Sequence, residues 1–173
     1  MMRHTGKQIL TKGGGKAGLL LIPLMTFLLA LSQPAAAQTS SLAQAYVVDP
    51  LTSVALGGFD PVSYFTEPLP LSGKSDFEYY WHGVSWYFAN AANREVFARD
   101  PDIYAPQFGG YGTMSMARGY LSEGNPQIYA IMDNRLFLFY SLGNRDAFMQ
   151  AVNSARVRAM DRWKVVEASL PRF

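Results

Sequence analysis

Phe77-Glu78-Tyr79-Tyr80-Trp81 and Val84-Ser85-Trp86-Tyr87-Phe88 are aromatic and β-branched runs separated only by His82-Gly83. Runs of this kind fit a pleated, half-buried surface. Two turn-forming residues between them dictate an antiparallel hairpin, with Gly83 taking a positive φ and His82 tolerating one. A second hairpin is expected over 128–132 and 135–140, turning at Asp133-Asn134.

Helices are expected around the hairpins. Asp60-Pro61 reads as a helix start, because Asp accepts backbone N–H bonds at an N-cap and Pro suits the first turn. Glu67-Pro68 and Pro70 stop that helix early. Asn90 caps a helix over 91–99 with Phe97 turned inward, and Asp100-Pro101 repeats the cap-and-proline signature before a turn through Tyr104. The glycine-rich stretch 106–112 is expected to be irregular. Phe148, Val152, Ala155, Ala159, Trp163 and Val166 recur at spacings of three and four, which predicts one long amphipathic helix capped near Asn144. Two hairpins and several helices without βαβ alternation place the chain in the α+β class. The expected architecture is a small single domain with two β-hairpins, short helices and a long C-terminal amphipathic helix. The sequence shows no internal repeat of the solenoid type.

The first residues carry a different message. Arg3, Lys7, Lys12 and Lys16 precede an apolar run over 19–31, and Pro34-Ala35-Ala36-Ala37 follows it. A basic start, a short apolar centre and an Ala-x-Ala end are the parts of a secretory signal peptide. Residues 1–37 are therefore read as a cleaved leader, 38–53 as a flexible lead, 54–168 as the domain and 169–173 as a tail. Export places the protein in the periplasm or outside the cell, with no membrane contact after cleavage. The whole chain has 15 basic and 13 acidic residues, a net +2. Four basic residues leave with the leader, so the remainder has 11 basic against 13 acidic residues, a net −2. With its arginines scattered, the chain lacks the basic stripe of a nucleic-acid binder.

The chain contains no cysteine. That excludes disulfides, thiolate catalysis and every cysteine-based metal site. Stability has to come from apolar burial, and an aromatic content of 14% supplies the material.

Three motifs in order, Gly57-Gly58-Phe59-Asp60-Pro61-Val62-Ser63-Tyr64-Phe65, Trp81 to Phe88, and Tyr104-Ala105-Pro106-Gln107-Phe108-Gly109-Gly110-Tyr111, resemble the YHS-domain family. The resemblance runs from Gly57 to Ser141 and more loosely to Trp163. It implies a small envelope or metal-handling module without a settled reaction. Relatives commonly read Gly-Gly-Tyr-Cys-Ala, whereas this chain reads Gly110-Tyr111-Gly112-Thr113. Any thiolate-dependent role of that position is lost here.

The candidate ligand-binding residues are Asp60, Tyr64, Gly109, Gly110 and Tyr111. Asp60 can cap with one oxygen while the other faces a pocket. The Gly109-Gly110-Tyr111-Gly112 loop lacks both the Lys-Ser/Thr of a P-loop and the spacing of a dinucleotide fingerprint. Met114, Met116 and His82 are the candidate metal ligands, with copper the implied cofactor, since thioethers suit Cu(I). In an extended segment both sulfurs face one side; in a helix they diverge. His82, the one histidine beyond the leader, reads first as a turn residue and only then as a ligand. The expected function is a non-catalytic module for a small ligand or metal ion. The alternatives are an interaction module that presents an aromatic face to an envelope protein, and a hydrolase using Asp60 with a tyrosine. The shortage of general bases weighs against the hydrolase.

Overall fold

The structure, a computed structural model, describes residues 45–170. The expected leader, the first part of the lead and the last three residues lie outside the described residues. Among the described residues, strands β1 (Lys74–Trp81) and β2 (Val84–Phe88) form one antiparallel hairpin, and β3 (Asn125–Met132) and β4 (Arg135–Phe139) another. Six helices accompany them: α1 (Ser63–Thr66), α2 (Ala91–Arg99), α3 (Pro101–Tyr104), α4 (Thr113–Ala117), α5 (Leu142–Met149) and α6 (Val152–Glu167). The α+β class and both hairpins are as the sequence implies. Both turns use two positive-φ residues, 49° and 78° at His82 and Gly83, 49° and 54° at Asp133 and Asn134. That is the primed geometry whose twist matches the flanking strands.

The long C-terminal helix is in fact two. Ala151, at φ −141° and ψ 35°, separates α5 from α6. Ser141, not Asn144, caps α5: its hydroxyl accepts the Asn144 backbone N–H. The apolar spacing runs from Phe148 to Val152 straight through the break, and no Gly or Pro marks it. The lead is also anchored from Ala45 onward. Val47 N donates to the Gly109 carbonyl at 2.7 Å, Val48 bridges Ala55, and the Tyr46 ring lies 5.1 Å from that of Trp86.

The two halves of the domain repeat one another. Leu56, Gly57 and Gly58 have φ of 54°, 58° and 82°; Phe108, Gly109 and Gly110 have 58°, 61° and 84°. After each of these turns come a short helix, a hairpin bulged near its start, and a helix capped by its preceding residue (Asn90 and Ser141). The bridges match as well. Val54–Ser85 and Pro106–Leu136 are both parallel, and Phe59–Ser72 and Tyr111–Glu123 are both antiparallel. Gly73 and Gly124 occupy the same place: a Cβ on either would come within 2.5 Å of the facing strand or loop. Phe97 and Phe148, each in an Asn-Arg-acid-x-Phe run, are both fully buried. Sequence identity between the halves is confined to a handful of such positions, which is why no repeat is legible from residue types alone.

β4 joins the two cores. Leu136 and Leu138 pack with Trp86, Phe88, Phe97 and Tyr64, while Phe137 and Phe139 pack with Met116, Phe148 and Ala155. A strand covered on both faces reads as an unbroken apolar run, and Leu136-Phe137-Leu138-Phe139 is one.

Candidate functional site

Asp60 is enclosed by hydrogen-bond donors. Its side chain is fully buried. Oδ1 accepts the backbone N–H groups of Val62 at 2.9 Å and Ser63 at 3.3 Å. Oδ2 accepts Ala89 N at 2.9 Å and Asn93 Nδ2 at 2.6 Å. Four donors compensate the buried carboxylate, as burial of such a group requires. The capping role therefore takes both oxygens. It also begins earlier than a simple N-cap, because α1 starts at Ser63 and Pro61-Val62 form a preceding turn. Tyr64 is equally committed: its hydroxyl donates to the Pro126 carbonyl at 2.8 Å and its ring meets Tyr129 edge-on at 4.9 Å. Burial pushes the Tyr64 hydroxyl well above the usual tyrosine range.

Of the candidate metal ligands, His82 lies apart from Met114 and Met116. Thr113–Ala117 is helical, so Met114 and Met116 diverge, and both are buried in the core around Phe148. His82 sits on the first hairpin turn, its ring 4.2 Å from that of Trp81. Among the described residues, no group of three His, Asp or Glu stands close enough to hold a metal ion. Also among them, no helix is long and apolar enough to cross a membrane.

The glycine turn is where the predicted residues meet open space. Gly109 lines a cleft of about 470 Å³, and Gly110 lines a smaller one of about 170 Å³ beside Val47, Leu56 and Pro126. Tyr111 is buried behind the turn, its ring 6.3 Å from Trp163. Asp60 and Tyr64 line neither. The larger cleft is bounded by the lead at Tyr46, by α3 and the following loop, by Arg135 at the start of β4, and by α6. A Cβ on Gly109 would overlap the Ala45 carbonyl oxygen and lie 3.2 Å from the Trp163 ring. The glycine thus lets the lead and α6 approach the turn together.

Aromatic rings and charges line this cleft. Phe108 and Trp163 meet edge-on at 6.1 Å, and Tyr46 stands against Trp81 and Trp86. Arg135 Nη1 donates to the Asp102 carbonyl at 2.8 Å. Lys164 pairs with Asp161 at 3.0 Å. Burial first, then the carboxylates of Asp102 and Glu167, hold the Tyr46 hydroxyl far above its ordinary pKa, so Tyr46 stays neutral. Among the described residues, no Ser, Thr or His lines the cleft. Apart from Gly109, none of its lining residues is a candidate from sequence. Met160, Trp163, Lys164 and Glu167 carry a weak signal, since their spacing puts them on one face of α6.

Most of the expected aromatic face is interior: Trp86, Phe108, Tyr111, Phe137 and Phe139 are buried, and Trp81, Tyr87 and Tyr104 are half-buried. The exposed aromatic side chains among the described residues are Tyr80, Tyr120 and Tyr140. No family model matches the chain, and neither a curated protein nor a solved structure matches it.

Proposed function

We propose that this chain is an exported, YHS-type module that binds a small organic molecule without transforming it, in the cleft between the Gly109 turn and α6. One observation carries the reading: a cleft of about 470 Å³, walled by Tyr46, Phe108 and Trp163, holds four charged side chains and, among the described residues, no Ser, Thr or His. A concave site that sets a few polar groups beside aromatic side chains is a usual form of small-molecule site. Nucleophilic catalysis needs an activated hydroxyl or thiol beside a base, and the hydroxyl that the described residues bring to this cleft, that of Tyr46, is held neutral by burial and the neighbouring carboxylates. The burial of Met114 and Met116 in the core, apart from His82, favours an organic ligand over copper. Export to the periplasm rests on the composition of residues 1–37.

The test is a set of ¹H–¹⁵N spectra of the protein purified from an envelope extract without chelator, titrated with a mixed library of small organic fragments. Binding should move Tyr46, Gly109, Arg135 and the Trp163 indole together. Perturbations confined to other residues, or none with any fragment, refute the cleft. Near-stoichiometric copper in the same preparation would restore the metal reading instead.

A further inference from the structure

We propose that the ligand is an organic cation, a primary or methylated amine carried on an apolar body; this rests on the cleft being the ligand site. The argument starts from which charges are already partnered. Arg135 is oriented by the Asp102 carbonyl, and Lys164 by Asp161. The carboxylates of Asp102 and Glu167 have no ion-pair or hydrogen-bond partner among the described residues. Among the described residues the cleft therefore presents two unpaired carboxylates against one cation, Arg135, whose charge meets only a neutral carbonyl, while Lys164 is held by a carboxylate. Both carboxylates line the same cleft as the rings of Tyr46, Phe108 and Trp163.

Amines are recognised by that combination. A carboxylate supplies a charge-assisted hydrogen bond, and ring faces within about 6 Å attract the cation through their quadrupole. The neutral Tyr46 hydroxyl adds an acceptor. An anionic ligand would meet two unpaired carboxylates of its own sign, with Lys164 already held by Asp161 and Arg135 alone to oppose them. The apolar part of the ligand has Phe108, Met160 and Trp163 to rest on.

Three probes of one shape separate the possibilities: phenethylamine, phenethyl alcohol and phenylacetate, each titrated into the full protein and followed by the Trp163 indole and Gly109 amide signals. The amine should bind at least about tenfold more tightly than the other two, a difference the size of one charge-assisted hydrogen bond. Glu167→Gln and Asp102→Asn, both at exposed positions, should each reduce that preference severalfold while leaving the spectrum of the free protein in place. Equal affinities, a preference for phenylacetate, or an amine affinity unmoved by both variants overturns the cation proposal and leaves the cleft standing. If no probe moves Trp163 and Gly109, while the fragment library also leaves them still, both readings fall.

Discussion

Asn93 Nδ2 donates to Asp60 Oδ2 at 2.6 Å, tying α2 to the turn that precedes α1. In the second half the matching asparagine, Asn144, finds no carboxylate, because Gly112 stands where Asp60 stands in the first. Asn144 Nδ2 donates instead to the Ser115 hydroxyl at 3.4 Å, and Ser122 donates to the same oxygen at 2.7 Å. One scaffold thus carries two different polar knots.

Asp60→Ala should cost about 3 kcal/mol or more in urea unfolding, because buried donors that lose their acceptor each cost about 1–3 kcal/mol. Asp60→Asn should cost less: its amide oxygen still serves the Val62 and Ser63 N–H groups, while its NH₂ faces Ala89 N and Asn93. A near-neutral Asp60→Ala would show that the network is dispensable.

Gly112→Asp alone should destabilise, since a Cβ there lies 3.0 Å from Ser122 Oγ and 3.2 Å from Tyr140 N. Ser122→Ala removes the nearest obstacle. Added to Gly112→Asp, it should recover about 1 kcal/mol through coupling of neighbouring sites. A double-mutant cycle with zero coupling energy would separate this corner from the Asp60 arrangement.

Gly109→Ala and Gly143→Ala should act in opposite directions. Gly109 combines φ +61° with the overlap on the Ala45 carbonyl, so alanine should cost several kcal/mol, the mark of backbone strain plus a steric clash. Gly143 lies in α5 with open space around its Cβ position, and alanine there should stabilise by about 0.5 kcal/mol. Thermal melts of the two variants check both signs.

Alkaline pH should weaken the fold through Tyr46 and Tyr64. Both keep their protons above the ordinary tyrosine value of 10.0 in the folded state, whereas the unfolded chain releases them near it. The folded state then binds more protons, so stability is fully present below about pH 10 and declines as pH rises above it. Tyr120, whose pKa is lowered chiefly by a hydrogen bond with Ser115, should ionise first in an absorbance titration. Tyr46→Phe and Tyr64→Phe should each flatten the alkaline decline. An unchanged slope in both would refute the assignment.

Local signals proved legible where they were self-contained. The His82-Gly83 and Asp133-Asn134 turns, the Asn90 cap and the inward Phe97 follow from neighbouring residues alone. Long-range facts were not. Asp60 carries a cap signature, yet its second oxygen is taken by Ala89 and Asn93, which lie 29 and 33 residues away. The break at Ala151 lacks a Gly or Pro and preserves the apolar spacing. The cleft assembles Tyr46, Asp102, Arg135 and Glu167 from four distant segments, none of them in a recognisable motif. Gly109 alone connected the sequence pattern to the cleft, because a positive-φ turn leaves a signature in residue type.

β4 bears on how the molecule comes apart. With Leu138 seated in one core and Phe139 in the other, neither half can open without baring apolar surface belonging to both. Two look-alike halves should therefore melt in a single cooperative transition, and the amides of 136–139 should be the last to exchange with solvent.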